Sequence, residues 1–267
     1  MNGLLVALLV VSLGLVVPLG VRLLALPLTA PVAAWLTAGT LASVSMLLDA
    51  GLPAVLLGLP MAVLCAGTAA VGLRRVTERV DARVAAAVSA SSSLGVVALA
   101  LVVDRSSIAP FLGFDATVWR LTVLHFCVAG FAASLLVGLT HVAAPGRKTS
   151  FACLAAPTGT ALVAAGHFLG PWLELTGALS LTAGLLACSW AVLHLVRFDD
   201  SGGQLLAVAA AVTPLTMLLA VSWALGDATD LPHLTLTQTA ATHGVGNALG
   251  VGLAGVLGWT TVTKEQL

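Results

Sequence analysis

"ATHGVGNALGVGLAGVLGW", residues 241–259, reads as a membrane span interrupted by one polar patch. Most of the stretch is small or apolar. Thr242, His243 and Asn247 are not, and each costs free energy in hydrocarbon unless it finds a partner. The patch raises two questions: what kind of protein surrounds it, and what His243 and Asn247 do there.

Composition answers the first. The chain has 267 residues, of which 59% are hydrophobic and 8% charged. Its mean hydropathy is +1.09. Soluble domains carry about a quarter charged residues, so the chain is expected to be an all-α, polytopic transmembrane helix bundle. Hydropathy, charge, Pro and Gly mark about nine spans, near 3–21, 29–48, 52–73, 84–103, 118–140, 150–170, 173–196, 204–226 and 234–259. The longest loop, about 104–117, has no room for a soluble domain, so residues 1–267 are read as a single integral membrane domain. The N-terminal stretch lacks the positive segment and small-residue cleavage site of a signal peptide and reads as the first span.

Nine spans put the termini on opposite sides. Arg22, Arg74, Arg75, Arg79, Arg83, Arg147, Lys148, Arg197 and Lys264 then share the side of the C-terminus, against Arg105 and Arg120 on the other. Positive residues stay cytoplasmic. The expectation is an outside N-terminus, a cytoplasmic C-terminus and a multi-pass place in the cell membrane. Trp119, Trp172 and Trp223 would mark the outer interface, Trp190 and Trp259 the inner one. The cluster at 74–83 reads as a topogenic anchor touching anionic headgroups.

The formal charge is zero, so nothing points to a nucleic-acid partner, and none is expected. No P-loop, dinucleotide fingerprint or HExxH occurs. Cys65, Cys127, Cys153 and Cys188 stand singly in apolar runs and read as buried packing residues. No span carries an acidic residue to pair with a histidine, nor a nucleophile beside a base, which argues against an intramembrane hydrolase. Asp49, Asp104, Asp115, Glu174, Asp227 and Asp230 all fall at the outer boundary.

His233 reads as a loop residue, and His141 and His194 as interfacial. His125, His167 and His243 fall in the outer half of the bilayer on this topology. Thr239, His243 and Asn247 are spaced by four and share a helix face, with Gln238 and Thr242 beside them. Gly246, Gly250, Ala254 and Gly258 form a second stripe of small residues that lets another helix approach, so the last span is expected at the bundle centre. Gly130, Ser134 and Gly138 make a similar ridge on the fifth span, and "SASSS" at 89–93 reads as helix packing. Pro60, Pro157 and Pro214 should kink their spans; the hydroxyls of "PTGT", 157–160, either line a path or bond their own backbone. Arg120, one turn above His125, either supplies a cation for an anionic group or snorkels to headgroups.

Three functions stay open. A site of His125, His243, Asn247, Arg120, His167 and Thr239 suits a transporter or binder of a small solute whose identity the sequence leaves unknown. His125 and His243 are the candidate ligands for haem or a metal, though no cofactor is identified. Alternatively His243 fixes helix register. The bilayer is the one partner implied; the oligomeric state is not.

Two motifs, "LTVLHFCVAGF" at 121–131 and "THGVGNALG" at 242–250, resemble those of the YndJ-like bacterial membrane proteins, an HFHxAGF-type stretch followed by an HGxxNAxG-type stretch. His125, Phe126, Ala129, Gly130 and Phe131 match the first; His243, Gly244, Asn247, Ala248 and Gly250 match the second. Cys127 stands where that pattern has a second histidine. On a regular helix positions i and i+2 point about 200° apart, so the replaced histidine would not share a site with His125. The resemblance implies a polytopic protein of a family commonly labelled as transporters, with no substrate or mechanism attached.

Overall fold

In a computed structural model the described residues are 2–24, 30–75, 81–196 and 199–262. Arg79, Arg197 and Lys264 lie outside them, as does the middle of the 74–83 cluster. Among the described residues nine apolar helices run in order: α1 (Gly3–Leu23), α2 (Val32–Met46), α3 (Leu52–Arg74), α4 (Ala82–Arg105), α5 (Ala116–Ala143), α6 (Arg147–Leu169), α7 (Pro171–Leu195), α8 (Ser201–Thr229) and α9 (Leu236–Thr261). Eight of them are long and apolar enough to cross a membrane. Among the described residues no strand forms beyond one isolated Phe111–Phe114 bridge. The chain is thus an all-α membrane protein. Helices satisfy every backbone group internally, which hydrocarbon demands.

Local chemistry sets the boundaries. Asp81, Asp115 and Asp200 accept from Val84, Val118 and Gly203 backbone N–H groups and start α4, α5 and α8. Thr235 and Gln238 form a capping box at the start of α9. Gly170 alone joins α6 to α7, at φ +124°, where a side chain would be strained. Pro60, Pro157 and Pro214 lie inside α3, α6 and α8.

The helices form two compact units: Met1–Val80 with Ala87–Ala132, and Asp81–Ala86 with Ala133–Leu267. In the first, α2 runs antiparallel to α1, Gly39 lying against Leu13 and Gly14, and antiparallel to α3, where the Ser45 hydroxyl donates to the Ala54 carbonyl at 2.6 Å. α3 and α4 meet at Gly58 and Leu101; α4 and α5 meet where Gly130 faces Ser93. The ridge on α5 and the serines of α4 therefore pack together, as their small size suggests. In the second unit, α6 and α7 form a hairpin in near backbone contact: Gly159, Gly166, Gly177 and Gly184 all face the opposite main chain. On α9, Gly246 faces Thr216, Gly250 faces Val212 and Gly258 faces Leu206, so the glycine stripe receives side chains of antiparallel α8.

Three expectations need correction. The second span shortens to 15 residues, about 22 Å of helix against a hydrocarbon core of about 30 Å. The last span is not central: only 33% of its apolar window is buried, against 67% for α5. Three of its glycines face α8 and Gly255 faces Leu136 of α5, while Ala240–Gly244 holds no buried residue. Asp104 and Arg105, read as outer-loop residues, complete the last turn of α4 and are 2% and 1% exposed. Of the tryptophans, Trp172 and Trp190 are exposed, whereas Trp119 and Trp259 are buried.

A Cβ at position 177 would stand 2.5 Å from the Val163 amide nitrogen, whereas one at position 244 meets nothing within 4 Å. Gly177→Ala should therefore lower the melting temperature in detergent by roughly 3–10 °C, while Gly244→Ala leaves it unchanged. Equal melting of the two variants would contradict the hairpin packing.

Candidate functional site

His243 is fixed by a neighbouring helix. Its Nδ1 lies 2.8 Å from the Thr216 carbonyl oxygen, 27 residues away on α8. A carbonyl only accepts, so Nδ1 carries the proton. In the neutral ring Nε2 is then the acceptor, and the Asn247 amide nitrogen lies 3.1 Å from it. Both ring nitrogens are thus engaged by protein. Asn247 gives its N–H to His243 and keeps its carbonyl oxygen, which makes no hydrogen bond among the described residues. Thr239, one turn earlier, is 9% exposed, and its buried hydroxyl has no partner there either. The stripe Thr239–His243–Asn247 therefore retains one acceptor and one hydroxyl.

Gln238 and Thr242 do not contribute. The Gln238 side chain accepts from the Thr235 backbone in the capping box, and the Thr242 hydroxyl donates to the Gln238 carbonyl at 2.8 Å. Thr160 likewise bonds the Ala156 carbonyl, its own helix, rather than lining a path.

The backbone under both motifs departs from regular α-helix. Ala240–Gly244 and Gly246–Leu253 are π-helical, and so is Phe126–Ala132, starting directly after His125. A fourth π-helical stretch, Ser12–Val16, lies on α1 beside that of α5 in the same unit. Such turns widen the N–H to C=O step to five residues and frequently mark functional sites. Patterning at 3.6 residues per turn carries no signal for them.

The other candidates have separate neighbours. His125 is half-buried, its ring edge-on to Phe126 with centroids 5.8 Å apart. It belongs to the first unit; His243, Asn247, Thr239 and His167 belong to the second. His167 ends α6 with Nδ1 3.0 Å from the Val163 carbonyl and 3.6 Å from a Glu174 carboxylate oxygen. His141 bonds the Thr149 hydroxyl, and His194 lies against Trp190 with Lys148 over the same indole. His233 is exposed beside Trp223.

Arg120 is tied to an acid through one of its three nitrogens. Its Nε donates to Asp104 at 3.0 Å. The other Asp104 oxygen accepts from Arg105, whose Nη1 also donates to the Ser45 and Leu48 carbonyls at 2.9 and 3.1 Å. Sequence reading treated these three charges as boundary residues. Their adjacency across α4 and α5 is tertiary, and hydropathy alone does not reveal it.

As for metals, no group of three His, Cys, Asp or Glu side chains gathers among the described residues. A ligand bond from His243 Nε2 would require release of Asn247. This donor set does not favour a metal centre.

Removing the Arg105 guanidinium leaves Asp104 buried and the end of α2 without donors. Arg105→Met should cost about 3–5 kcal/mol. Amide exchange across residues 47–51 should rise together with a fall in melting temperature, and unchanged exchange there would refute the clamp.

The comparisons agree with the motifs. Residues 7–251 match the YndJ-like protein family, a stretch that holds both. No curated protein and no solved structure matches the chain. A match over most of the length places the chain in that family: it belongs to the YndJ-like proteins.

Proposed function

We propose that this YndJ-like protein binds, and passes across the cell membrane, a small polar solute at the His243–Asn247 face of α9. The observation that carries this reading is the open space over Gly244, beside a fixed histidine and an amide with its oxygen unspent. A Cβ at Gly244 meets no atom within 4 Å, so packing does not explain a glycine there. The π-helical backbone around it supports the same reading, because such turns occur frequently at functional sites. Thr239 supplies a further hydroxyl. Arg120, which belongs to the other unit, and His167, bonded to the Val163 carbonyl, are left out of the site. His125 belongs to the other unit and is not part of this site.

The orientation belongs to the same proposal: N-terminus outside, C-terminus cytoplasmic. Of the described Lys and Arg residues, the two that oppose this assignment, Arg105 and Arg120, are those drawn into an ion cluster with Asp104. Neither is a loop cation of the kind that steers insertion.

A structural reading is favoured by one observation, the His243–Thr216 bond, which ties α9 to α8 whether or not a solute binds. The two readings separate by experiment. Gly244→Leu starts from a Cβ in open space and leaves both partners of the Thr216 bond in place. In stopped-flow swelling of proteoliposomes under urea and glycerol gradients, wild type should exceed empty vesicles, and Gly244→Leu should lose most of that excess with an unchanged melting temperature. Wild-type swelling equal to that of empty vesicles, or full flux through Gly244→Leu, overturns the proposal. His243→Ala removes a partly buried hydrogen bond and should cost about 1–3 kcal/mol in either case.

A further inference from the structure

The Asp104–Arg105–Arg120 cluster does not balance. It holds two guanidinium groups and one carboxylate. Asp104 is fully buried and uses both oxygens: Oδ2 on Arg105 Nε and Nη2, at 2.9 and 2.8 Å, and Oδ1 on Arg120 Nε, at 3.0 Å. Arg105 is 1% exposed, and its remaining nitrogen, Nη1, is taken by the Ser45 and Leu48 carbonyls. Arg120 differs. Only its Nε is engaged, its two terminal nitrogens make no bond among the described residues, and its side chain is 25% exposed. The nearest other acids in sequence do not neutralise it. Asp49 is exposed, and Asp115 is exposed and accepts from the Val118 amide at the start of α5. One positive charge is left over, presented by a planar fork that reaches the surface.

An uncompensated charge at low dielectric is costly, and a guanidinium fork matches an oxyanion with two parallel hydrogen bonds. Arg120 lies in the second turn of α5, close to where the spanning segment begins. Headgroup phosphates lie at the height of such helix ends. Trp119, buried next to it, adds an indole N–H without a partner. This end of the unit is rich in donors and poor in acceptors.

We propose that the free terminal nitrogens of Arg120 bind a phosphate oxyanion, with Asp104 and Arg105 holding the guanidinium in place. The site is independent of the His243–Asn247 reading, because every residue in it lies in the first unit. The phosphate comes from a lipid headgroup or from solution.

Native mass spectrometry of the full chain in detergent distinguishes the sources. The probes are phosphatidylglycerol, diacylglycerol as its phosphate-free counterpart, and inorganic phosphate. Wild type should retain phosphatidylglycerol well beyond diacylglycerol. Arg120→Lys keeps a cation beside Asp104 but lacks the fork, and should weaken retention about tenfold. A rise in melting temperature with inorganic phosphate, absent in the variant, assigns a soluble anion; retention of the lipid alone assigns the headgroup. Two results overturn the proposal: wild type that neither prefers phosphatidylglycerol to diacylglycerol nor responds to phosphate, or Arg120→Lys that matches wild type with every probe. The first needs no variant, so a failure of Arg120→Lys to fold does not shield the proposal.

Discussion

The donation from Arg105 to the carbonyls of Ser45 and Leu48 is the bond on which the first unit depends. At 15 residues α2 is too short to carry its C-terminal carbonyls out to water. A helix end leaves four such groups without internal partners, and hydrocarbon supplies none. Arg105 provides two donors there, and its own carbonyl accepts from the Gly51 amide in the turn that leads to α3. A buried arginine then needs a counter-charge, which Asp104 supplies, and Asp104 recruits Arg120 from α5. One short helix thus accounts for a cation, an anion and a second cation, and ties four helices together at one end.

The second unit is held differently. Its α6–α7 hairpin relies on near contact of backbones, made possible by glycines seven residues apart on each helix. Where two apolar helices meet in lipid there is little hydrophobic gain, because the lipid is equally apolar; dispersion between close backbones replaces it. The α8–α9 contact follows the same rule less tightly, side chain into glycine. Gly255 adds a contact to Leu136 of α5, and Gly244 stays uncovered beside His243.

Composition and charge spacing were enough to reveal the class, the number of apolar helices and their approximate limits, since each is a property of stretches about 20 residues long. The glycine ridges of α5 and α9 were legible for a similar reason: spacing of four defines a face. The contact made by the four α6–α7 glycines was not legible, because it depends on which helix faces meet across the Gly170 turn. The shortening of α2 was not legible, because its ending depends on Arg105, 57 residues beyond Leu48. Nor were the π-helical turns, which break the periodicity by which faces are read. Within the candidate site, the pairing of His243 with Asn247 followed from i, i+4 spacing. Its bond to Thr216 did not, because a backbone carbonyl leaves no mark in a sequence.

That carbonyl bears on how a structural and a binding role coexist in one residue. A histidine free to rotate and change tautomer offers a solute no fixed geometry. Nδ1–H on Thr216 selects one tautomer and one ring orientation, and Nε2 then orients the Asn247 amide. The amide oxygen is thereby fixed as an acceptor without having been spent. Pre-orientation of this kind lowers the cost of binding by removing rotamer freedom beforehand. A bond that looks purely structural is therefore also what a small, selective polar site in an apolar helix requires, and the uncovered Gly244 beside it is the feature that a structural role alone does not call for.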